Sequence, residues 1–195
     1  MKISKLTFIP LVSILAVVFI SASSSSAQSR RDYMTDAEIE LVRDAQDIDA
    51  RIDVLTKMID RRFAVLKLDV GGAKIPNKET DKWGTAPEGT RMEILDDIRK
   101  LLDKAIDDID DTSMHPNKYV IDPNKPDKVK KTDEARFPAS VKNLAASAKR
   151  YQPALRSLLD KTTDEREKGL ILGAIESCDE IISATTKLPT ETKAN

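Results

Sequence analysis

Residues 35–66 read TDAEIELVRDAQDIDARIDVLTKMIDRRFAVL, and this stretch decides the fold class. Its apolar residues recur at spacings of four and three, which is typical of an amphipathic helix close to a heptad repeat. The members of this seam are Leu41, Ala45, Ile48, Ile52, Leu55, Ile59, Phe63 and Leu66. The opening Thr35-Asp-Ala-Glu38 is a capping box, in which the Thr35 side chain accepts from the Glu38 N–H and Glu38 reaches back. We therefore predict one continuous helix over residues 35–69, ending before Gly71-Gly72.

Three further amphipathic segments follow, each opened by a helix-start signal. Thr90-Arg-Met-Glu93 and Thr162-Thr-Asp-Glu165 are capping boxes, and Pro138 suits the first turn of a helix. Pro153 lies inside the pattern that Pro138 opens and is expected to kink that helix. The predicted helices cover residues 90–110, 138–161 and 163–186.

The chain shows no strand signal, so the predicted fold class is all-α. Four amphipathic helices indicate one four-helix bundle-like domain over residues 28–195, with long loops that contain proline and lysine. The apolar faces of the four predicted helices indicate a shared core. The core is expected to include Ile48, Ile52, Leu55, Leu102, Leu144, Leu158, Ile175 and Cys178.

The N-terminus has the order of a secretory signal peptide. Two lysines precede an apolar run over residues 6–20, which is shorter than the roughly 20 residues needed to cross a bilayer. Ser25 and Ala27 are small residues that suit a signal peptidase site. We therefore predict a cleaved signal peptide over residues 1–27 and an exported protein, periplasmic or extracellular, with no membrane span after cleavage. An uncleaved anchor is the alternative.

Composition argues against several function classes. The chain has 32 Lys plus Arg against 33 Asp plus Glu, so it lacks the basic field that attracts nucleic acid. Its one cysteine, Cys178, and one histidine, His115, are far apart and cannot by themselves form a zinc site or a nucleophile and base pair. We expect Cys178 to be buried and unreactive and His115 to be exposed in a loop. No glycine run of the phosphate-binding type is present, and no cofactor is predicted.

The C-terminal end of the second predicted helix is acidic. Asp107, Asp108, Asp110 and Asp111 lie there, where each anion opposes the helix dipole by about 0.3–1 kcal/mol. Solvent and the lysines of residues 125–131 can offset these charges. The alternative is a divalent cation held by Asp107, Asp111 and loop carbonyls. Solvation and lysine pairing are favoured, because no calcium-binding loop motif is present.

The lengths of the predicted helices suggest a partner surface. A helix over residues 35–69 would span about 52 Å, whereas the second helix would span about 30 Å. The overhang would carry Leu41 and Ile48, which need cover. The cover is either the kinked third helix or the loop over residues 111–132 of the same chain, or the same stripe of a second copy in an antiparallel pair. Cover within the chain is favoured because the loop carries the apolar residues 119–121, so a monomer is favoured over a homodimer.

Three function classes are left. A non-catalytic interaction or structural protein of the cell envelope or exterior, with an unknown protein partner, fits the signal peptide and the missing catalytic set. A small-molecule or divalent-cation binder is the alternative, with Trp83, Tyr119 and residues 103–111 as candidates. An enzyme is the least favoured, because no apolar and aromatic group surrounds a carboxylate pair.

Overall fold

The computed structural model describes residues 31–72, 75, 79–115 and 133–188, and every regular element in these ranges is a helix. The predicted all-α class is confirmed. The six helices are α1 (Asp36–Asp44), α2 (Ile48–Val65), α3 (Thr80–Trp83), α4 (Arg91–Met114), α5 (Asp133–Lys161) and α6 (Glu165–Ala184). A short 3₁₀ turn, Thr185–Lys187, follows α6. None of the helices in these ranges is long and apolar enough to cross a membrane. The predicted signal peptide lies outside the described residues.

Helices α2, α4, α5 and α6 pack around one apolar core. All eight predicted core residues are buried, and Leu55, Leu102 and Cys178 are fully so. The Tyr151 ring stacks on Phe63 at 5.1 Å between ring centres, and its hydroxyl donates to the Thr56 carbonyl at 3.1 Å. The spacing of apolar residues therefore identified the buried faces correctly.

The prediction of one continuous helix over residues 35–69 was wrong, because the helix breaks at residues 45–47. The Thr35 capping box that begins α1 is confirmed. After Asp44 the chain turns, and the Arg51 Nε donates to the Ala45 carbonyl at 3.0 Å. The first helix therefore folds back onto the second. The overhang on which the partner surface depended is not formed.

The end of α2 also differs from the prediction. The helix ends at Val65, four residues before Asp69. Lys67 has a φ of 59°, its N–H donates to the Ala64 carbonyl, and the Leu68 N–H donates to the Phe63 carbonyl. This is a Schellman motif, whose left-handed position is usually glycine but is a lysine here.

Three other boundaries need correction. Helix α4 begins after the confirmed Thr90 capping box but runs to Met114 rather than to residue 110. Helix α5 begins at Asp133, so Pro138 lies inside it and not in its first turn, while Pro153 is internal as predicted. Helix α6 is capped by Asp164, which accepts from two backbone N–H groups, and not by Thr162. The short α3 was not predicted.

Candidate functional site

A groove lies beside the second half of α2, where the chain leaves that helix and returns along it. Its cavity measures about 480 Å³. The walls are mostly apolar, with charged side chains among them. We call it the Asp60 groove. It is lined by Lys57, Asp60, Arg61, Ala64, Lys67, Leu68, Asp69, Val70, Gly72 and Ile75.

The Asp60 groove is held together by an arginine from α5. The Arg150 guanidinium lies 3.4 Å from the Asp60 carboxylate and donates to the Val70 carbonyl at 2.8 Å. It thereby joins α2, α5 and the segment after α2. Gly72 completes the packing, because a Cβ at this position would lie 2.1 Å from Asp60 Oδ2. Asp60 and Gly72 come from one part of the chain and Arg150 from another, and no local motif connects the three.

Burial controls the ionisation of this region. Burial raises the pKa of Asp60 above its ordinary value, and the lowering effect of Arg150 is smaller. Burial, reinforced by the charge of Asp60, raises the pKa of Tyr151 well above its ordinary value. Tyr151 is therefore a neutral hydrogen-bond donor. Asp60 is an acid whose charged form is disfavoured relative to an exposed aspartate.

Three cationic side chains line the groove. Lys57 Nζ lies 2.8 Å from Asp53 Oδ2 on the same helix. Lys67 is exposed at the left-handed position. Arg61 is turned toward α1, where its Nη1 donates to Glu38 at 2.7 Å, and its guanidinium lies 5.5 Å from the centre of the Trp83 ring. An anionic group in the groove would meet Lys57 and Lys67, but also Asp69 of the lining and the Asp53 carboxylate that pairs with Lys57.

Arg61 also belongs to a buried ionic cluster, which we call the arginine clamp: Glu38, Arg61, Arg62 and Asp97. The Arg62 side chain is fully buried and contacts both oxygens of Glu38, at 2.7 Å for Oε2. Its Nε lies 3.5 Å from Asp97 Oδ2. The predicted capping role of Glu38 is confirmed, whereas its contacts with the two arginines were not predicted.

The structure pairs most of the acidic residues of α4 within the protein. Arg99 lies 2.8 Å from Asp103, and Lys104 lies 2.6 Å from Asp108. At the helix end, Asp107 is exposed and Asp111 lies 3.2 Å from His115 Nδ1. Across the described ranges, no group of three or more His, Cys, Asp or Glu side chains is arranged to hold a metal ion. The cation at Asp107 and Asp111 stays the untested alternative, and the lysines of residues 125–131, which the favoured interpretation invoked, lie outside the described residues.

The predicted partner residues face the protein's own interior. Ile48 is 4% exposed in the core, and Leu41 is half-buried against it. Trp83 is 4% exposed beneath Arg61, so it is a packing residue. Tyr119 and its apolar neighbours lie outside the described residues.

The single cysteine and the single histidine lie where the sequence predicted. Cys178 is buried, and burial raises its pKa to about 12, so its thiol stays protonated. His115 is 74% exposed just after α4.

A second, smaller cavity of about 120 Å³ lies among α4, α5 and α6 and includes Ile109, Val141 and Ile181 in its lining. It is too small for most metabolites.

Comparison of the chain with known protein families, with curated proteins and with solved structures finds no match.

Proposed function

We propose that this chain is an exported four-helix bundle of the cell envelope or exterior whose role is binding rather than catalysis, and that the Asp60 groove is its binding surface. The observation that carries the proposal is the groove itself, which combines apolar walls with three cationic and two acidic side chains. Its volume of about 480 Å³ falls within the roughly 300–1,000 Å³ of small-molecule sites. Export is supported by the order of residues 1–27.

The lining favours a small amphiphile with one anionic group. Leu68, Val70 and Ile75 offer an apolar wall, against which a short hydrocarbon chain loses contact with water. Lys57 and Lys67 would face a carboxylate or sulfonate at the rim. Asp60 would repel such a group less than an unpaired aspartate, since the Arg150 guanidinium lies 3.4 Å from its carboxylate, whereas Asp69 at the exposed end of the lining would repel it.

Binding is favoured over acid and base catalysis because the polar groups near the groove are engaged in packing. Arg150 is directed at the Val70 carbonyl and at Asp60, and the Tyr151 hydroxyl at the Thr56 carbonyl. Groups held in this way position the groove wall. The divalent-cation alternative rests on Asp107 and Asp111 alone.

A fluorescent anionic amphiphile, 1-anilinonaphthalene-8-sulfonate, tests this proposal. Its affinity is measured for the wild type, for Ala64→Trp, which fills the groove from an exposed position of α2, and for Lys67→Asn, which removes a charge. We expect a loss of about tenfold or more for Ala64→Trp, corresponding to about 1.4 kcal/mol, and a smaller loss for Lys67→Asn. Lys161→Asn, at the exposed end of α5, is the charge-matched control. Equal affinity in all four proteins would contradict the proposal.

Export is tested separately by N-terminal sequencing of the protein recovered outside the cytoplasm. The expected first residue is Gln28. Recovery of a chain that begins at Met1 would contradict the cleaved signal peptide.

A further inference from the structure

The break between α1 and α2 contains no residue that requires it. Residues 44–48 read DAQDI, with neither glycine nor proline. The apolar seam continues through the break from Leu41 to Ala45 to Ile48 at helical spacing. Asp47, which caps α2, makes no side-chain capping hydrogen bond. Local sequence therefore favours a continuous helix at the point where the structure has a turn.

Contacts with distant parts of the chain hold the turn instead. Arg136 of α5 lies 2.5 Å from Asp47 and 3.0 Å from Asp49. Arg51 donates to the Ala45 carbonyl at 3.0 Å. The turn is thus maintained by the ion pairs with Arg136 of α5, by the Arg51 hydrogen bond across the turn itself and by the contacts of α1 with α2 and α3.

The arginine clamp is one of the contacts that hold the α1 helix in place. Among the helices in the described ranges, α1 packs against α2 and α3 only. Glu38 is fully buried and contacts Arg61 and Arg62, whereas the apolar residues Leu41 and Val42 are only partly buried. The docking of α1 therefore includes the insertion of one buried carboxylate between two arginines.

A straight helix and this insertion exclude each other within one chain. Glu38 and Arg62 are 24 residues apart, so a continuous helix would separate their Cα atoms by about 36 Å. The two side chains cannot bridge that distance. If the turn straightens, the arginine site of each chain can receive Glu38 only from another chain.

We infer that α1 is an exchangeable arm and that its alternative partner is a second copy of this chain. In the exchanged dimer, residues 36–65 form one helix, and Glu38 of each copy enters the Arg61 and Arg62 site of the other. The contacts of α1 with α2 and α3 are then made between the two chains, and only the turn changes conformation. Domain swapping costs little free energy under this condition. This inference is independent of the Asp60 groove and of any ligand.

Two variants of the turn at residues 45–47, which we call the hinge, test the exchange. Gln46→Ala with Asp47→Ala gives the hinge strong helix formers and should straighten it. Gln46→Ala with Asp47→Pro is the matched control, since it removes the same Arg136 ion pair but blocks a continuous helix. Asp47 has a φ of −84°, close to the value that proline imposes, so the turn tolerates this change. Both are unfolded in urea, refolded at near-millimolar concentration and examined by analytical ultracentrifugation.

The alanine variant should sediment with the mass of two chains and the proline variant with the mass of one. Gln46→Ala alone, which keeps the Asp47 ion pair, should give an intermediate dimer content and provides a second measurement. A folded alanine variant that stays monomeric at every concentration would overturn the exchange, as would an equal dimer content in the proline variant.

Discussion

Glu38 of α1 and Arg62 of α2 form an ion pair in which both side chains are fully buried. Removing two charges from water is costly, and the cost is offset only when other groups complete their hydrogen bonds. Arg61 adds a second cation to Glu38, while the Tyr33 carbonyl accepts from Arg62 at 2.6 Å. The position of α1 is thus specified by a polar site inside an otherwise apolar interface.

Removing the carboxylate should be far more damaging than removing an exposed one. Glu38→Ala leaves Arg62 buried without its main partner, and we expect a loss of about 3 kcal/mol in the free energy of unfolding. Glu40→Ala, on the same helix, breaks an ion pair with Arg43 in which both side chains are mostly exposed, and it should cost less than about 0.5 kcal/mol. Urea unfolding of both variants measures the difference. Equal costs would show that the clamp does not stabilise the fold.

Core truncations should separate buried from exposed leucines. Leu55 and Leu102 are fully buried, so replacing either by alanine should cost about 2–5 kcal/mol. Leu172 is 45% exposed on α6, and its replacement by alanine should cost less than about 0.5 kcal/mol. Thermal and urea unfolding provide the values. A loss below about 0.5 kcal/mol for Leu55 would contradict its place in the core.

Replacing Lys67 by glycine should stabilise the protein. Lys67 has a positive φ of 59°, which costs a residue with a Cβ about 1 kcal/mol relative to glycine. We expect Lys67→Gly to raise the free energy of unfolding by about 0.5–1 kcal/mol. Ala64→Gly, one turn earlier inside α2, should instead lower it by about 1 kcal/mol. If both changes destabilise, the left-handed conformation at residue 67 is not the one present in solution.

The raised pKa of Asp60 has a consequence for stability. Because the folded state raises this pKa, it binds the proton more tightly than the unfolded state does. The contribution of Asp60 to stability is therefore fully present below its unfolded pKa of about 3.9 and declines as the pH rises through the folded pKa.

Asp60→Asn cannot titrate, so the stability of the wild type relative to this variant should fall as the pH is raised above about 4. The contributions of Asp96 and Asp164 to stability increase with pH, because their pKa values are lowered in the folded state. Both residues are present in the wild type and in the variant, so their contributions cancel in the difference. Urea unfolding of the wild type and of Asp60→Asn across a pH series measures this relative stability. A relative stability that rises with pH would contradict the burial of Asp60.

Calcium should have little effect on stability. Asp111 lies against His115, and both are largely exposed. We therefore expect millimolar Ca²⁺ to leave the melting temperature almost unchanged. An increase of several degrees that is abolished by Asp107→Asn with Asp111→Asn would establish the cation site instead.

The sequence pattern predicted what depends on neighbouring residues. Apolar spacing identified Ile52, Leu55 and Leu102 as core residues, and the Thr35 and Thr90 capping boxes located two helix starts. The break at residues 45–47 was missed because Arg136, which contacts Asp47, comes from a distant helix.

The candidate site was missed for the same reason. The Asp60 groove needs Arg150 from α5 and a glycine at position 72 where a Cβ would clash. No local motif connects these residues. Glu38 could be recognised as a cap, but its contact with Arg62 exists only after α1 folds back.

The sharpest test of ligand binding in the Asp60 groove is a backbone amide NMR titration with octanoate, a short anionic amphiphile. We predict saturable shifts confined to the groove, at Asp60, Ala64, Leu68 and Val70, that are lost in Ala64→Trp. Shifts centred instead on Ile109, Val141 and Ile181, around the smaller cavity, would contradict the assignment of the groove as the binding surface, and so would the absence of any saturable shift.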